Sequence, residues 1–214
     1  MKIEWLGMSS FKIELKTEAS EKTILLDPFD PKIVGKKSPR GSFDMIISST
    51  PVPLEEKGEI ITIYGEGEYE HSGVFVYGFA QYKKIDNTLK KKYIVYRIES
   101  DGMSIVHLGA LGMPLNADIL ERLEKVDILL LPIGGGEVLS SGDAANLVNE
   151  IEPRVVIPMY YRIPGLSPEV EKTLEPKDAF LKIFRVHETV GTKFKVQRKD
   201  LPEEKTKIII IDPS

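Results

Sequence analysis

Three histidines, His71, His107 and His187, supply all the imidazole in this 214-residue chain, and cysteine is absent. No two of these histidines lie within four residues of each other, so the chain carries no paired-imidazole motif of the kind that holds a catalytic zinc ion. The missing thiol excludes disulfides, thiolate zinc sites, iron–sulfur clusters and a cysteine nucleophile. Hydroxyls, phenols and carboxylates are the other polar groups available for chemistry, among them Ser9 and Ser10, Asp27 and Asp30, the run Ser48-Ser49-Thr50, and Tyr160-Tyr161. A serine nucleophile needs a base within hydrogen-bond reach and an oxyanion hole. His107 is the candidate base, with Ser9, Ser49 or Thr50 as the hydroxyl it would serve, and no G-x-S-x-G elbow supports such a pairing. Gly134-Gly135-Gly136 follows a strand but lacks the Walker lysine and the G-x-G-x-x-G spacing, so it reads as a loop with unusual backbone angles. Lys83-Lys84 and Lys90-Lys91-Lys92 could meet phosphate, but read first as a solvated loop between two strands.

The elements that must position these residues change character along the chain. Residues 2–6, 11–15, 23–26, 45–47, 60–64, 74–77, 93–98 and 104–107 alternate or run apolar over strand lengths, with glycine-bearing turns between several of them. From Asn116 the period becomes helical: Ile119, Leu120 and Leu123 form an apolar face with Asn116 as N-cap. A buried strand over 127–132 precedes a helix that Ser141 is expected to cap and Pro153 to end. Strand 155–157, a helix at about 176–184 and strand 207–211 complete the pattern. Strands alternating with helices imply parallel crossovers and a sheet covered on both faces.

Composition narrows the function classes. A net charge of −4, from 29 basic and 33 acidic residues, speaks against a general nucleic-acid binder. No apolar run approaches the ~20 residues of a membrane span. The opening Met1-Lys2-Ile3-Glu4 runs straight into strand pattern, so a cytoplasmic location without a leader is the expectation. Charged residues at 29%, no cysteine and only two glutamines lean towards a thermophilic source.

Several blocks occur in a recognisable order: Trp5-Leu6-Gly7-Met8-Ser9-Ser10-Phe11, Thr23-Ile24-Leu25-Leu26-Asp27-Pro28-Phe29-Asp30, Gly67-Glu68-Tyr69-Glu70, His107-Leu108-Gly109-Ala110-Leu111-Gly112 and Val155-Val156-Ile157-Pro158-Met159-Tyr160-Tyr161. Together they resemble the small prokaryotic Zn-dependent hydrolase branch of the metallo-β-lactamase superfamily. The resemblance implies an α/β fold, the four-layer αβ/βα sandwich of two mixed β-sheets flanked by helices, built as one domain over residues 1–214 with two metals at one edge. Zinc is the family's usual cofactor, held by a His-x-His-x-Asp-His block after a short apolar strand, a bridging Asp and a further His.

At those positions the resemblance places Ser49, Pro51, Pro53 and Leu54, then Ala110, then Tyr160. Proline, leucine and alanine offer no side-chain donor atom, and a neutral serine hydroxyl is a poor zinc ligand. The expectation is therefore no metal, no cofactor and no zinc-hydrolase activity. The chain reads as a non-catalytic homologue with a binding, regulatory or subunit role; the alternative is a hydrolase whose active site is metal-independent or relocated within the same cleft. Met8, Ser9, Asp27, Glu68 and His107 are expected to line that cleft, with His107 a partly buried residue bonded to a neighbour. Expected partners are a small molecule, a protein, a second copy or an active homologue, with neither nucleic acid nor membrane among them.

Overall fold

The computed structural model describes residues 1–17, 20–37, 41–51, 60–86 and 90–214. Two mixed sheets face each other. The first has the order β13-β1-β2-β3-β4-β5. Its members are β1 (Lys2–Gly7), β2 (Ser10–Lys16), β3 (Glu21–Leu26), β4 (Met45–Ser48), β5 (Ile61–Tyr64) and β13 (Lys193–Lys195). β1 to β3 form an antiparallel meander, and β4 and β5 then add in parallel.

The second sheet has the order β12-β14-β11-β10-β9-β8-β7-β6. It contains β6 (Gly67–His71), β7 (Val74–Lys84), β8 (Lys90–Ser100), β9 (Met103–His107), β10 (Ile128–Pro132), β11 (Val155–Met159), β12 (His187–Val190) and β14 (Lys207–Ile211). β6 to β9 pair antiparallel, whereas β9, β10, β11, β14 and β12 run parallel.

Alternation explains which face each strand buries. In β1 and β2, Ile3, Trp5, Phe11 and Ile13 are fully buried, while the residues between them stay partly exposed. Strands β10 and β11 are buried throughout, as parallel strands covered on both faces must be. Helix α3 (Ser141–Ile151) supplies one cover through Ala144, Ala145, Leu147 and Val148. Its cap is Ser140, one residue before the sequence expectation, because Ser140 Oγ accepts the Asp143 N–H at 3.1 Å. Helix α2 (Ala117–Arg122) begins at Asn116 as expected, with Asn116 Oδ1 accepting the Ile119 N–H. The last helix expected from sequence is shorter, α5 (Asp178–Ile183), and α1 (Pro31–Val34) and α4 (Pro168–Glu171) are single turns.

One expectation is corrected. The flanking lysines form the ends of β7 and β8 rather than a loop, since Lys83 pairs with Lys91 and Lys84 with Lys90 in a continuous ladder. Among the described residues no helix is long and apolar enough to cross a membrane.

Candidate functional site

The C-terminal ends of parallel strands from both sheets converge on Asp27, which follows β3, Ser49, which follows β4, and His107, which ends β9. Such strand ends are where α/β sheets place ligands. Asp27 has a left-handed backbone, φ 41°, a conformation aspartate tolerates better than most residues. Its N–H donates to Ile47 O at 2.9 Å, tying the turn to β4.

Three donors meet at the Asp27 carboxylate. Ser49 N–H donates to Oδ1 at 2.6 Å, the Ser49 hydroxyl donates to Oδ2 at 2.7 Å, and His107 Nε2 lies 2.8 Å from the same Oδ2. All three residues are buried, His107 completely, so it lies deeper than the sequence suggested. Burial opposes the charge on Asp27, yet the His107 ring and the two Ser49 donors hold its carboxyl below the usual carboxylate range. An ionised carboxylate only accepts, so Nε2 carries the shared hydrogen. His107 Nδ1 is buried with no partner among the described residues, and the ring meets Phe11 edge-on at 6.3 Å between centroids.

The backbone closes over this network. Gly109 has φ 55°, and a Cβ there would run into Ser49 Oγ and come within 3.4 Å of Asp27 Oδ2. Tyr96, opposite His107 in the ladder, braces the other side: its hydroxyl donates to Ser48 O at 2.8 Å and accepts the Gly65 N–H at 2.9 Å. Tyr160, also left-handed at φ 56°, donates its N–H to Met8 O. Its phenol is pushed up to about 12 by burial, with the negative charges of Glu137 and Asp27 adding to the effect.

The residues singled out from sequence do not all gather at one place. Asp27, Ser49 and His107 touch one another. Met8 and Ser9 turn between β1 and β2, and Ser10 anchors that turn through its hydroxyl to Leu26 O, the residue before Asp27. Ala110 stands half-buried beside Gly109, whereas Pro51 is exposed. Glu68 is exposed on β6, in a groove with Phe79, Asn116, Asp118, Ile119 and Arg122. Pro53 and Leu54 lie outside the described residues. Gly109 and Tyr96 were not singled out by sequence; the glycine-rich His107 to Gly112 turn hints at the first, and nothing in the alternation of β8 marks the second.

Two chemical consequences follow. Among the described residues no hydrogen bond joins Ser49 directly to His107, and the Ser49 hydroxyl spends its hydrogen on Asp27. His107 therefore does not stand as the base for Ser49. Among the described residues the donor set also does not fit a catalytic metal. A zinc site needs about three protein ligands, and the orphaned Nδ1 of His107 is a single nitrogen. Among the described residues no group of three or more His, Cys, Asp or Glu side chains could hold an ion.

Two mixed sheets facing each other with helices outside, and a polar cluster where strands of both sheets end, define the metallo-β-lactamase fold. Residues 2–160 match the model of the beta-lactamase superfamily domain, and the chain belongs to that family. A "UPF0173 metal-dependent hydrolase" of Methanosarcina mazei is 29% identical over 198 residues, covering 75% of this chain and 83% of the relative. One from Pyrococcus abyssi is 26% identical over 80% of this chain and 90% of its own length. Among solved structures, a candidate Zn-dependent hydrolase of the metallo-β-lactamase superfamily from Thermotoga maritima superposes with a TM-score of 0.77 at 28% identity, over 99% of this chain and 98% of that one.

Proposed function

We propose that this chain is a member of the superfamily that carries no hydrolytic metal pair and serves a binding, regulatory or subunit role. The observation that carries the reading is the Asp27 carboxylate, whose oxygens are committed to Ser49 and His107 in a buried network. Its relatives are named metal-dependent hydrolases, so the proposal separates this chain from them on the chemistry of its own side chains. The hydrogen bonds to Asp27 take the structural role that an ion plays where ligands crowd together, offsetting the cost of a buried charge.

Melting temperature with and without a strong chelator tests this. A ligand that binds only the folded state stabilises it in proportion to the logarithm of its concentration over Kd. The expected result is no change on chelation and none on adding zinc, manganese or ferrous iron. A clear drop in Tm with chelator, restored by one of these metals, would overturn it.

A further inference from the structure

Residues 82–92 hold five lysines against one aspartate, a charge of +4, so the remainder of this −4 chain carries −8. The ladder places these lysines face to face: Lys83 opposite Lys91 on one side of the β7–β8 ribbon, and Lys84 opposite Lys90 on the other. Like charges directly opposite in a sheet destabilise the pairing, so the arrangement works against the hairpin that holds it. Three of the lysines have partners: Lys83 donates to Gly112 O at 3.3 Å, Lys91 lies 3.5 Å from Glu137, and Lys92 lies 3.7 Å from Glu66. Lys84 and Lys90 have no ion pair among the described residues. Beside them Tyr82 is 50% exposed and Ile85 62% exposed.

We propose that this hairpin end docks onto an anionic lipid surface. The lysines take the acidic headgroups, Tyr82 sits at headgroup level, and Ile85 enters the boundary with the acyl chains. With Glu66 and Glu137 counted against Lys92 and Lys91, the hairpin end presents +2 to the surface, carried by Lys83, Lys84 and Lys90 against Asp86, while about 8 Å of physiological saline screens the more distant acidic body. An exposed isoleucine has no use against a phosphodiester chain, which favours lipid over nucleic acid. The expectation of no membrane partner rested on the lack of a spanning apolar run, and the −4 total averages over this segregation of charge.

Co-sedimentation of the full chain with vesicles tests the proposal. Binding to phosphatidylcholine–phosphatidylserine vesicles, weakened by salt, is expected, with none to pure phosphatidylcholine. Each lysine near the surface contributes about fivefold to partition, so Lys84→Gln with Lys90→Gln should weaken it about 25-fold. That double variant removes a facing pair of like charges, so its Tm should not fall. Ile85→Ser should weaken binding while leaving its salt dependence in place. Equal binding to the two vesicle types, no binding to either, unchanged partition of the double variant, or displacement of the chain from vesicles by a single-stranded oligonucleotide would each overturn the proposal.

Discussion

Ser49 and His107, 58 residues apart in sequence, donate hydrogen bonds to one and the same oxygen, Asp27 Oδ2, at 2.7 and 2.8 Å. The carboxylate is thus the hub, and neither donor activates the other. This ordering differs from a nucleophile–base–orienter relay, in which the imidazole stands between hydroxyl and carboxylate. It makes the cluster a brace between the two sheets, because Asp27 and Ser49 follow strands of one sheet and His107 ends a strand of the other.

Breaking the hub should cost more than trimming its rim. Asp27→Ala leaves the His107 Nε2–H and the Ser49 hydroxyl buried without their acceptor, for a loss of about 3–5 kcal/mol. Ser49→Ala removes one of three donors and should cost about 1–3 kcal/mol. Urea denaturation of both single variants and the double should give a coupling energy well away from zero; strict additivity would mean the contact carries no stability.

Gly109→Ala tests the closure of the backbone over this hub. The added methyl must displace Ser49 Oγ and occupy a left-handed residue, which predicts a loss of about 1–3 kcal/mol. Adding Ser49→Gly removes the obstacle, so the double variant should lose less through crowding than Gly109→Ala alone. Equilibrium unfolding decides, and an unperturbed Gly109→Ala would show that the turn is loosely packed.

Stability should fall at both ends of the pH scale, for opposite reasons. Asp27 has a lowered carboxyl pKa, so its contribution is present above the unfolded value of about 3.9 and is lost as pH falls through the folded one. Tyr160 is raised to about 12, and burial also raises Tyr96 and Tyr161. Their contribution is complete below the unfolded phenol value of about 10 and is lost as pH climbs towards 12 and beyond. Tm measured against pH should show both limbs, and Asp27→Asn should flatten the acid one.

The fold was legible wherever burial imposes a period. The terminal strand was expected at 207–211 and found there, because four consecutive isoleucines have no alternative to the interior. β12 and β13 were not legible: His187-Glu188-Thr189-Val190 and Lys193-Phe194-Lys195 are mostly exposed edge strands, defined by their neighbours rather than by a pattern of their own. The lysine ends of β7 and β8 were hidden for a related reason, since lysine has low strand propensity and only the ladder extends them. At the site, Asp27 and His107 could be named from the block pattern. Their contact spans 80 residues of sequence and becomes visible only when the sheets face each other.

The most direct test of the central claim is the metal content of the chain purified without chelators, measured by elemental analysis per mole of protein. The account predicts zinc, iron and manganese far below one equivalent. One or two equivalents of any of them, retained through desalting and lost together with a hydrolytic activity on chelation, would contradict it.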